Sequence, residues 1–456
     1  MPRVLLLLPT TTYRTEAFVG AASRLGVDVT VASEQPNTLT QLNPAGLLTL
    51  DFKDPQEAAQ RVVEFSTSHP IDAVVPVDSQ GVVVGAAISA ALGLRHNSVE
   101  SATAAQDKHR MRQRFEQGGV PSPQFTLCSL DEDRVALAGR VDFPCVVKPL
   151  SLAASQGVIR ADDEGQFIRA VNRLEAILKR EHDAPPASDT SGDGRTQPQV
   201  RSPESSRQFL VESFVDGAEV ALEGILTRGK LRTLALFDKP DRLDGPFFEE
   251  TIYVTPSRLS AGIQKSVSEC AEQAVRATGL TEGPIHAELR LGEDGPWVIE
   301  VNPRSIGGLC SRVLRFGTGM SLEELIIRHA LEEQFDPPKL DCRPSGVMMI
   351  PIPDKGRLHE VRGLDQAKSV AGTEDVTISA HLGQDLVPLP EGSGYLGFIF
   401  ARADSPQAVE SALRESHAHL EFAIEPLEEL GMGRDGEGHR AHTDNVGRQR
   451  LEGTIQ

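Results

Sequence analysis

Cysteine is scarce and scattered in this 456-residue chain. Its five thiols, Cys128, Cys145, Cys270, Cys310 and Cys342, are odd in number and form no C-x-x-C pair. That argues against a disulfide scaffold or a cysteine zinc site and suits a reducing compartment. Positive charge is also in deficit, with 46 basic against 65 acidic residues and a formal net charge of −19. A protein that grips nucleic acid or an anionic membrane through counterion release carries the opposite balance. Long apolar runs are missing as well. Residues 4–8 are too short for a signal-peptide core, and no stretch approaches membrane-spanning length. Nor does G-x-G-x-x-G follow that first run; Pro9-Thr10-Thr11-Thr12-Tyr13 stands there, unlike a typical dinucleotide-binding unit. What remains is a chain long enough for about two or three cores, expected in the cytoplasm, without nucleic acid or membrane as partner.

Short β-rich runs and helical patterns alternate up to residue 103. Segments 4–8, 27–32 and 71–77 read as buried parallel strands, and 16–25, 55–68 and 80–92 as the helices between them. That alternation implies a doubly wound α/β sheet, whose ligands sit at the carboxyl ends of the strands. Asp78-Ser79-Gln80 stands at such an end, where a helix cap is the simpler reading and a substrate contact the alternative. Residues 181–206 are rich in Pro, Ser, Asp, Gly and Gln, which predicts a mobile surface loop. Strands return at 345–352 and 394–401, and a helix is expected over 405–421. After residue 429 the chain becomes Gly-, Arg-, Asp- and His-rich, the composition of a disordered tail.

Two further runs carry the chemistry. Residues 285–291 and 297–301 read as paired strands around the turn Gly292-Glu293-Asp294-Gly295. Alternation separates His286, Glu288 and Arg290 from Ile285, Ala287, Leu289 and Leu291. The second strand sets Val298, Glu300 and Asn302 against Trp297, Ile299 and Val301. Glu288 and Glu300 then face each other as like charges, a conflict that a hard cation resolves through oxygen ligands. Arg304, Gly307 and Gly308 follow at once, adding a fixed cation and an approachable backbone. A solvated acidic hairpin accounts for any one of these carboxylates, but not for the facing pair together with Asn302 and Arg304.

The run Glu300-Val301-Asn302-Pro303-Arg304-Ser305-Ile306-Gly307-Gly308, with Glu288 upstream, resembles the metal-binding segment of the ATP-grasp superfamily. The closest resemblance within it is to carboxylate–amine ligases of the L-amino-acid ligase type, and it extends over about residues 3–426. It implies an α/β and α+β multidomain protein with an ATP-grasp fold. An N-terminal doubly wound α/β domain (1–103) precedes the ATP-grasp core (104–337, with insert 181–206). A small C-terminal β-rich domain (338–426) and a tail (427–456) follow.

The resemblance also implies roles. Mg²⁺, with Mn²⁺ as a substitute, would sit on Glu288, Glu300 and Asn302, and Arg304 would hold the acyl phosphate. ATP would contact Lys108, Lys148, the small-residue loop with Ser155, Gln156 and Gly157, the hinge Glu212, Phe214 and Val215, and Glu219 at the ribose. Read alone, Lys148 and Lys108 are more often solvated lysines, and the loop after Lys148 is what favours a phosphate cradle. Glu249, Glu250, Tyr253, His286, Gly307 and Gly308 are the candidate substrate contacts. A plainly satisfied histidine is the simpler reading of His286, and surface acidity is an equal alternative for Glu249 and Glu250.

The implied reaction joins a small-molecule carboxylate to an amine through an acyl phosphate, releasing ADP and phosphate, in a chain that can form a homodimer. Purine-pathway and biotin-carboxylase-like ATP-grasp enzymes are the nearer alternatives, and a non-catalytic nucleotide-binding regulator the further one. Biotin carboxylases continue with Gln-Val-Glu-His where Ser305-Ile306-Gly307-Gly308 stands here.

Overall fold

A computed structural model of the protein describes residues 1–10, 12–36, 42–183, 207–331 and 337–427. The chain opens with β1 (Arg3–Leu7), α1 (Thr15–Leu25), β2 (Asp28–Ser33), β3 (Leu47–Thr49), α2 (Pro55–Ser66), β4 (Ala73–Pro76), α3 (Val82–Leu92) and α4 (Val99–Gln106). The four strands form a parallel sheet in the order β3-β2-β1-β4. From Val4 to Leu7, β1 is apolar without interruption because both faces are covered. Leu5 and Leu7 pack with Val62 of α2 and Ile88 of α3, whereas Val4 and Leu6 pack with Phe18 of α1. Asp54 starts α2 by accepting from the amides of Gln56 and Glu57 at 3.1 and 2.9 Å, with Pro55 in the first turn. From β1 the chain first winds to β2 and later returns on the other side to β4. That reversal opens a crevice at the carboxyl ends of β1 and β4. Thr103, where the first domain was expected to end, lies inside α4.

Next come α5 (Lys108–Gln117), β5 (Phe125–Ser129), α6 (Arg134–Ala138), β6 (Cys145–Pro149), β7 (Ile159–Ala161), α7 (Glu164–Asp183) and β8 (Gln208–Ser213). Their strands make an antiparallel sheet, β5-β8-β6-β7. Phe167, Val171, Leu174 and Ile177 recur at helical spacing along α7 and bury against Val147, Phe209 and Val211. Of the expected insert, residues 181–183 close α7, and 184–206 lie outside the described residues.

The main sheet begins with β9 (Ala218–Thr227), β10 (Lys230–Asp238), β11 (Ile252–Thr255), α8 (Ala261–Thr278), β12 (Gly283–Gly292), β13 (Gly295–Asn302) and α9 (Leu322–Ala330). The final elements are β14 (Ser345–Ile350), β15 (Gly356–Arg362), α10 (Leu364–Ser369), β16 (Thr373–Ile378), β17 (Asp385–Leu386), β18 (Gly397–Arg402), α11 (Pro406–Ala418) and β19 (Glu421–Glu425). One eight-stranded sheet, β13-β12-β9-β10-β11-β14-β18-β16, runs through both groups, so the C-terminal strands extend the same hydrogen-bonded ladder. A small sheet, β17-β15-β19, stands apart.

The helix expected over 405–421 stops at Ala418, and Glu421 already belongs to β19. Leu420, Phe422 and Ile424 turn inward at period two against the C-terminal core, a strand pattern that a helix cannot present to one face. Of the expected tail, only Leu427 is described. No helix among the described residues is long and apolar enough to cross a membrane.

Behind the main sheet, Val220, Leu222, Ala287 and Leu289 pack against Val267, Ala271 and Ala274 of α8. Leu222 is fully buried on the central strand β9. Leu222→Ala should therefore lower unfolding free energy by about 3 kcal/mol in chemical denaturation. A loss under about 1 kcal/mol would show that this layer can collapse around the deletion.

Candidate functional site

The front of the main sheet is polar, and a bulge arranges it. Leu291, Arg290 and Leu289 of β12 pair with Pro296, Trp297 and Val298 of β13. The register then slips by one, so that Glu288, Ala287 and His286 face Glu300, Val301 and Asn302. Strict alternation would have left Val298 beside Glu300. Instead Val298 is fully buried behind the sheet, and Ile299 lines the cleft. The facing carboxylates therefore exist because of the bulge.

On its other edge β12 pairs with β9, bringing Glu223 opposite His286 and Glu219 opposite Arg290. The His286 ring meets Glu223 through Nδ1 at 2.5 Å and Glu288 through Nε2 at 3.2 Å. The second oxygen of Glu223 accepts from the Ile306 amide at 3.0 Å, tying the Gly307-Gly308 turn to the sheet. Arg290 donates to Glu219 at 3.0 Å and to the Val215 carbonyl at 2.8 Å. Gly217, with φ 123°, carries the chain into β9; a Cβ there would lie 2.1 Å from the Leu291 carbonyl oxygen.

Lys239, just past β10, sends its ammonium between Glu219 (2.7 Å), Glu250 and Glu288 (3.4 Å). Burial alone would discharge it, but these three carboxylates hold its pKa well above the ordinary lysine value. Burial and the Glu288 charge push Glu250 up to about 7. Against burial, Lys239 and His286 keep Glu288 well below the usual carboxylate range. Oxygens of Glu219, Glu250 and Glu288 lie within 4.8 Å of one another, yet the lysine already balances them. Glu300 is also lowered against burial, mainly by Lys108, and accepts from the Asn302 amide. Glu288, Glu300 and Asn302 thus offer the oxygen-rich donor set that a hard cation takes.

A second buried cluster lies across the cleft. Glu212 sits between Lys148 (2.5 Å) and Arg112 (2.7 Å), all nearly inaccessible. Lys148 is therefore no solvated strand-end lysine. Lys108 is half-buried: it opens α5, donates to the Leu152 carbonyl at 2.8 Å, and its pKa is lowered by burial. Asp107 caps that helix. Both lysines line the cleft together with Ser151, Leu152, Ala153, Ala154, Ser155 and Val158. Gln156 and Gly157, expected beside them, turn away. Gln156 donates to Glu181 and to the Glu391 carbonyl, both at 2.9 Å, and the Gly157 amide donates to Pro390 at 2.9 Å. The backbone reverses here through left-handed residues, Gly157 included, which aims the two outward.

At the other end Arg304 donates to the Ser79 hydroxyl and to the Ser305 carbonyl, each at 2.9 Å. Buried Arg14 donates to the Val77 carbonyl at 2.8 Å and to the Ser305 hydroxyl at 2.5 Å. The helix-cap reading of Asp78-Ser79 fails: neither side chain caps the turn, Ser79 meets Arg304, and Asp78 lies 3.8 Å from Arg14. Glu250, Phe248 and Tyr253 line the cleft, as do Phe214, Val215, Gly307 and Gly308, whereas Glu249 and Phe247 do not. Phe247 packs instead against the core of the α7 sheet. Tyr13, Met349, Tyr395 and Phe398 add an apolar end. Reading by sequence missed Lys239, Arg112, Glu223 and Arg14. The only signal was a charged residue within an apolar run, as at Glu223 in Ala218–Thr227.

Three family models match consecutive parts of the chain. They are the ATP-grasp N-terminal domain over residues 19–96, the ATP-grasp domain over 141–313 and the L-amino acid ligase C-terminal domain 2 over 348–425. The alanine–anticapsin ligase of Bacillus subtilis (strain 168) is 26% identical over 283 residues, 60% of this chain and 57% of that one. Dapdiamide A synthase of Enterobacter agglomerans is 28% identical over 214 residues, 46% of this chain and 45% of that one. The chain thus spans about half the length of these curated relatives. A solved L-amino acid ligase from Bacillus licheniformis superposes with a TM-score of 0.75 at 25% identity, covering 93% of this chain and 99% of that one.

Buried beside Glu223 and Glu288, His286 has its pKa raised against desolvation to about 9. The resulting stability is complete below the unfolded imidazole value of about 6.5 and is lost as pH rises through the folded value. Between about pH 7 and pH 10 the wild-type denaturation midpoint should fall more steeply than that of His286→Gln. NMR should show a His286 imidazolium at about pH 8; a ring titrating near 6.5 would remove this charge from the network.

Proposed function

This chain belongs to the ATP-grasp superfamily, and from that premise we propose that it joins a carboxylate to an amine, as between two amino acids, cleaving ATP to ADP and phosphate. The observation that carries the reading is convergence: Lys108, Lys148 and Arg304 line the same cleft as the facing pair Glu288 and Glu300. Phosphoryl transfer needs mainly positioning and neutralisation of charge, which such a cleft supplies.

In this reading the nucleotide lies between the two sheets. Lys108 and Lys148 take phosphate oxygens, the segment from Glu212 to Val215 holds the base, and Glu219 faces the ribose. Phe248, against Arg290 and Phe214, closes the wall beside it. Glu288, Glu300 and Asn302 would hold Mg²⁺, or Mn²⁺ in its place, and the bound ion supplies further neutralisation of the phosphates. An oxygen of the substrate carboxylate attacks the γ-phosphorus, and the bond to the bridging oxygen breaks with its electrons leaving on ADP. The amine nitrogen then attacks the acyl carbon. Arg304, aimed by Ser79, faces the oxyanion that develops. Collapse breaks the carbon–oxygen bond, phosphate departs, and the ammonium proton passes to solvent. Glu250 and Tyr253 are the groups we assign to the substrate's polar atoms.

We end the first domain with α4 near residue 106 rather than at 103, keep 338–426 as the C-terminal part, and place the activity in the cytoplasm, which suits five free cysteines.

ADP and phosphate should appear only when a carboxylate acceptor is supplied, and hydroxylamine should trap the acyl phosphate as a hydroxamate. A matrix of amino acids with mass spectrometry of the products tests this. Release of AMP and pyrophosphate would mean adenylation and overturn the mechanism.

Glu300→Gln keeps the side chain's shape but removes one charge from the oxygen donors. Turnover should fall at least about a hundredfold, with circular dichroism and melting unchanged. Near wild-type turnover at millimolar Mg²⁺ would take Glu300 out of the ligand set.

A further inference from the structure

The loop after β6 holds an uncomfortable backbone. Ala154 and Ser155 both sit at positive φ, 52° and 57°, where a side chain is disfavoured. Such a conformation persists only where its surroundings over-determine it. From inside, Lys108 binds the Leu152 carbonyl. From outside, the partners come from the chain between β17 and β18, far away in sequence. The Gly157 amide donates to the Pro390 carbonyl at 2.9 Å, and the Gln156 amide group to the Glu391 carbonyl at 2.9 Å.

Glu391 is itself gripped by α7. Its carboxylate takes two hydrogen bonds from Arg173, at 2.5 and 2.8 Å, and Arg180, two turns further along α7, donates to its carbonyl. A bidentate pair of this kind fixes orientation as well as position. The same segment continues into the cleft, where Ser393 and Tyr395 form part of the lining. It therefore touches the outside of the phosphate loop and the substrate end at once.

We propose that the segment Pro390–Glu391 is a latch for the phosphate loop, with Glu391 a positioning residue that holds residues 151–158 closed over the nucleotide. The inference rests on the nucleotide reading above and deepens it: the C-terminal part of the chain sets ATP affinity without contacting ATP. Both side chains are part-exposed (Arg173 43%, Glu391 29%), so the effect should be moderate.

The test uses the full chain and four variants: Glu391→Ala, Glu391→Gln, Arg173→Glu, and the charge swap Arg173→Glu with Glu391→Arg. Glu391→Ala should weaken MgADP binding by calorimetry about five-fold and raise the KM for ATP similarly, with kcat largely kept. Hydrogen exchange at the Gly157 amide should quicken, while the melting temperature moves by no more than about 2 °C. Glu391→Gln, which keeps the shape and the carbonyl, should fall between, and the charge swap should recover most of the affinity lost in Arg173→Glu. A lower melting temperature with unchanged affinity and exchange would make this a merely structural pair and overturn the latch. So would a charge swap as weak as Arg173→Glu alone. If the wild-type chain binds no nucleotide, the ligase reading falls and the latch with it; equal affinity of wild type and Glu391→Ala removes the latch alone.

Discussion

The ammonium of Lys239, enclosed by Glu219, Glu250 and Glu288, is the contact around which the cleft is organised. Each carboxylate comes from a different stretch: β9, the chain before β11, and β12. Buried charges are costly unless paired, so this arrangement ties three segments into one geometry. Arg290 adds a second cation to Glu219, and His286 carries the network on to Glu223 and the Ile306 amide. Across the cleft Glu212 does the same for Lys148 and Arg112. In both clusters each buried carboxylate has a cation against it. Groups able to meet a polyphosphate therefore stand ready without leaving an isolated charge in a dry place.

That organisation explains why no single part of the chain owns the site. The parallel N-terminal sheet contributes the crevice between β1 and β4, from which Ser79 reaches Arg304 and Arg14 reaches Ser305. The antiparallel sheet of β5 to β8 contributes Lys148 and the loop after β6. The C-terminal strands join the main sheet directly through β14, and so bring Met349, Tyr395 and Phe398 to the apolar end. The proposed amide formation would need such a division, because phosphate, developing oxyanion and side chain demand different surroundings within a few ångströms.

Much of this was legible in the sequence wherever the signal was local. The alternating patterns of the first hundred residues announced a parallel sheet, because strands covered on both faces must be apolar throughout. The run from Glu300 to Gly308 was legible as one polar segment, because its functional groups are neighbours on one strand and the turn after it. The facing of Glu288 and Glu300 was legible too, although the bulge that produces it was not: strict alternation misplaced Val298. The end of the helix before β19 was lost where a period of two follows a period of 3.6 without a proline or glycine to mark the change.

What only the tertiary structure decided is who answers whom. Glu212 was legible as part of a hinge, but not that its carboxylate would balance Lys148 and Arg112. Gln156 and Gly157 belonged to a recognisable loop, yet they face Glu391 and Pro390 rather than the cleft. His286 meets Glu223 across 63 positions of sequence, and Arg14 meets Ser305 across 291. By itself the sequence determined the periodicity of most elements and the polar character of the site's continuous segment, because both depend on neighbours a few residues apart. The charge pairing that makes the site habitable depends on distances set only when separate sheets close on one another.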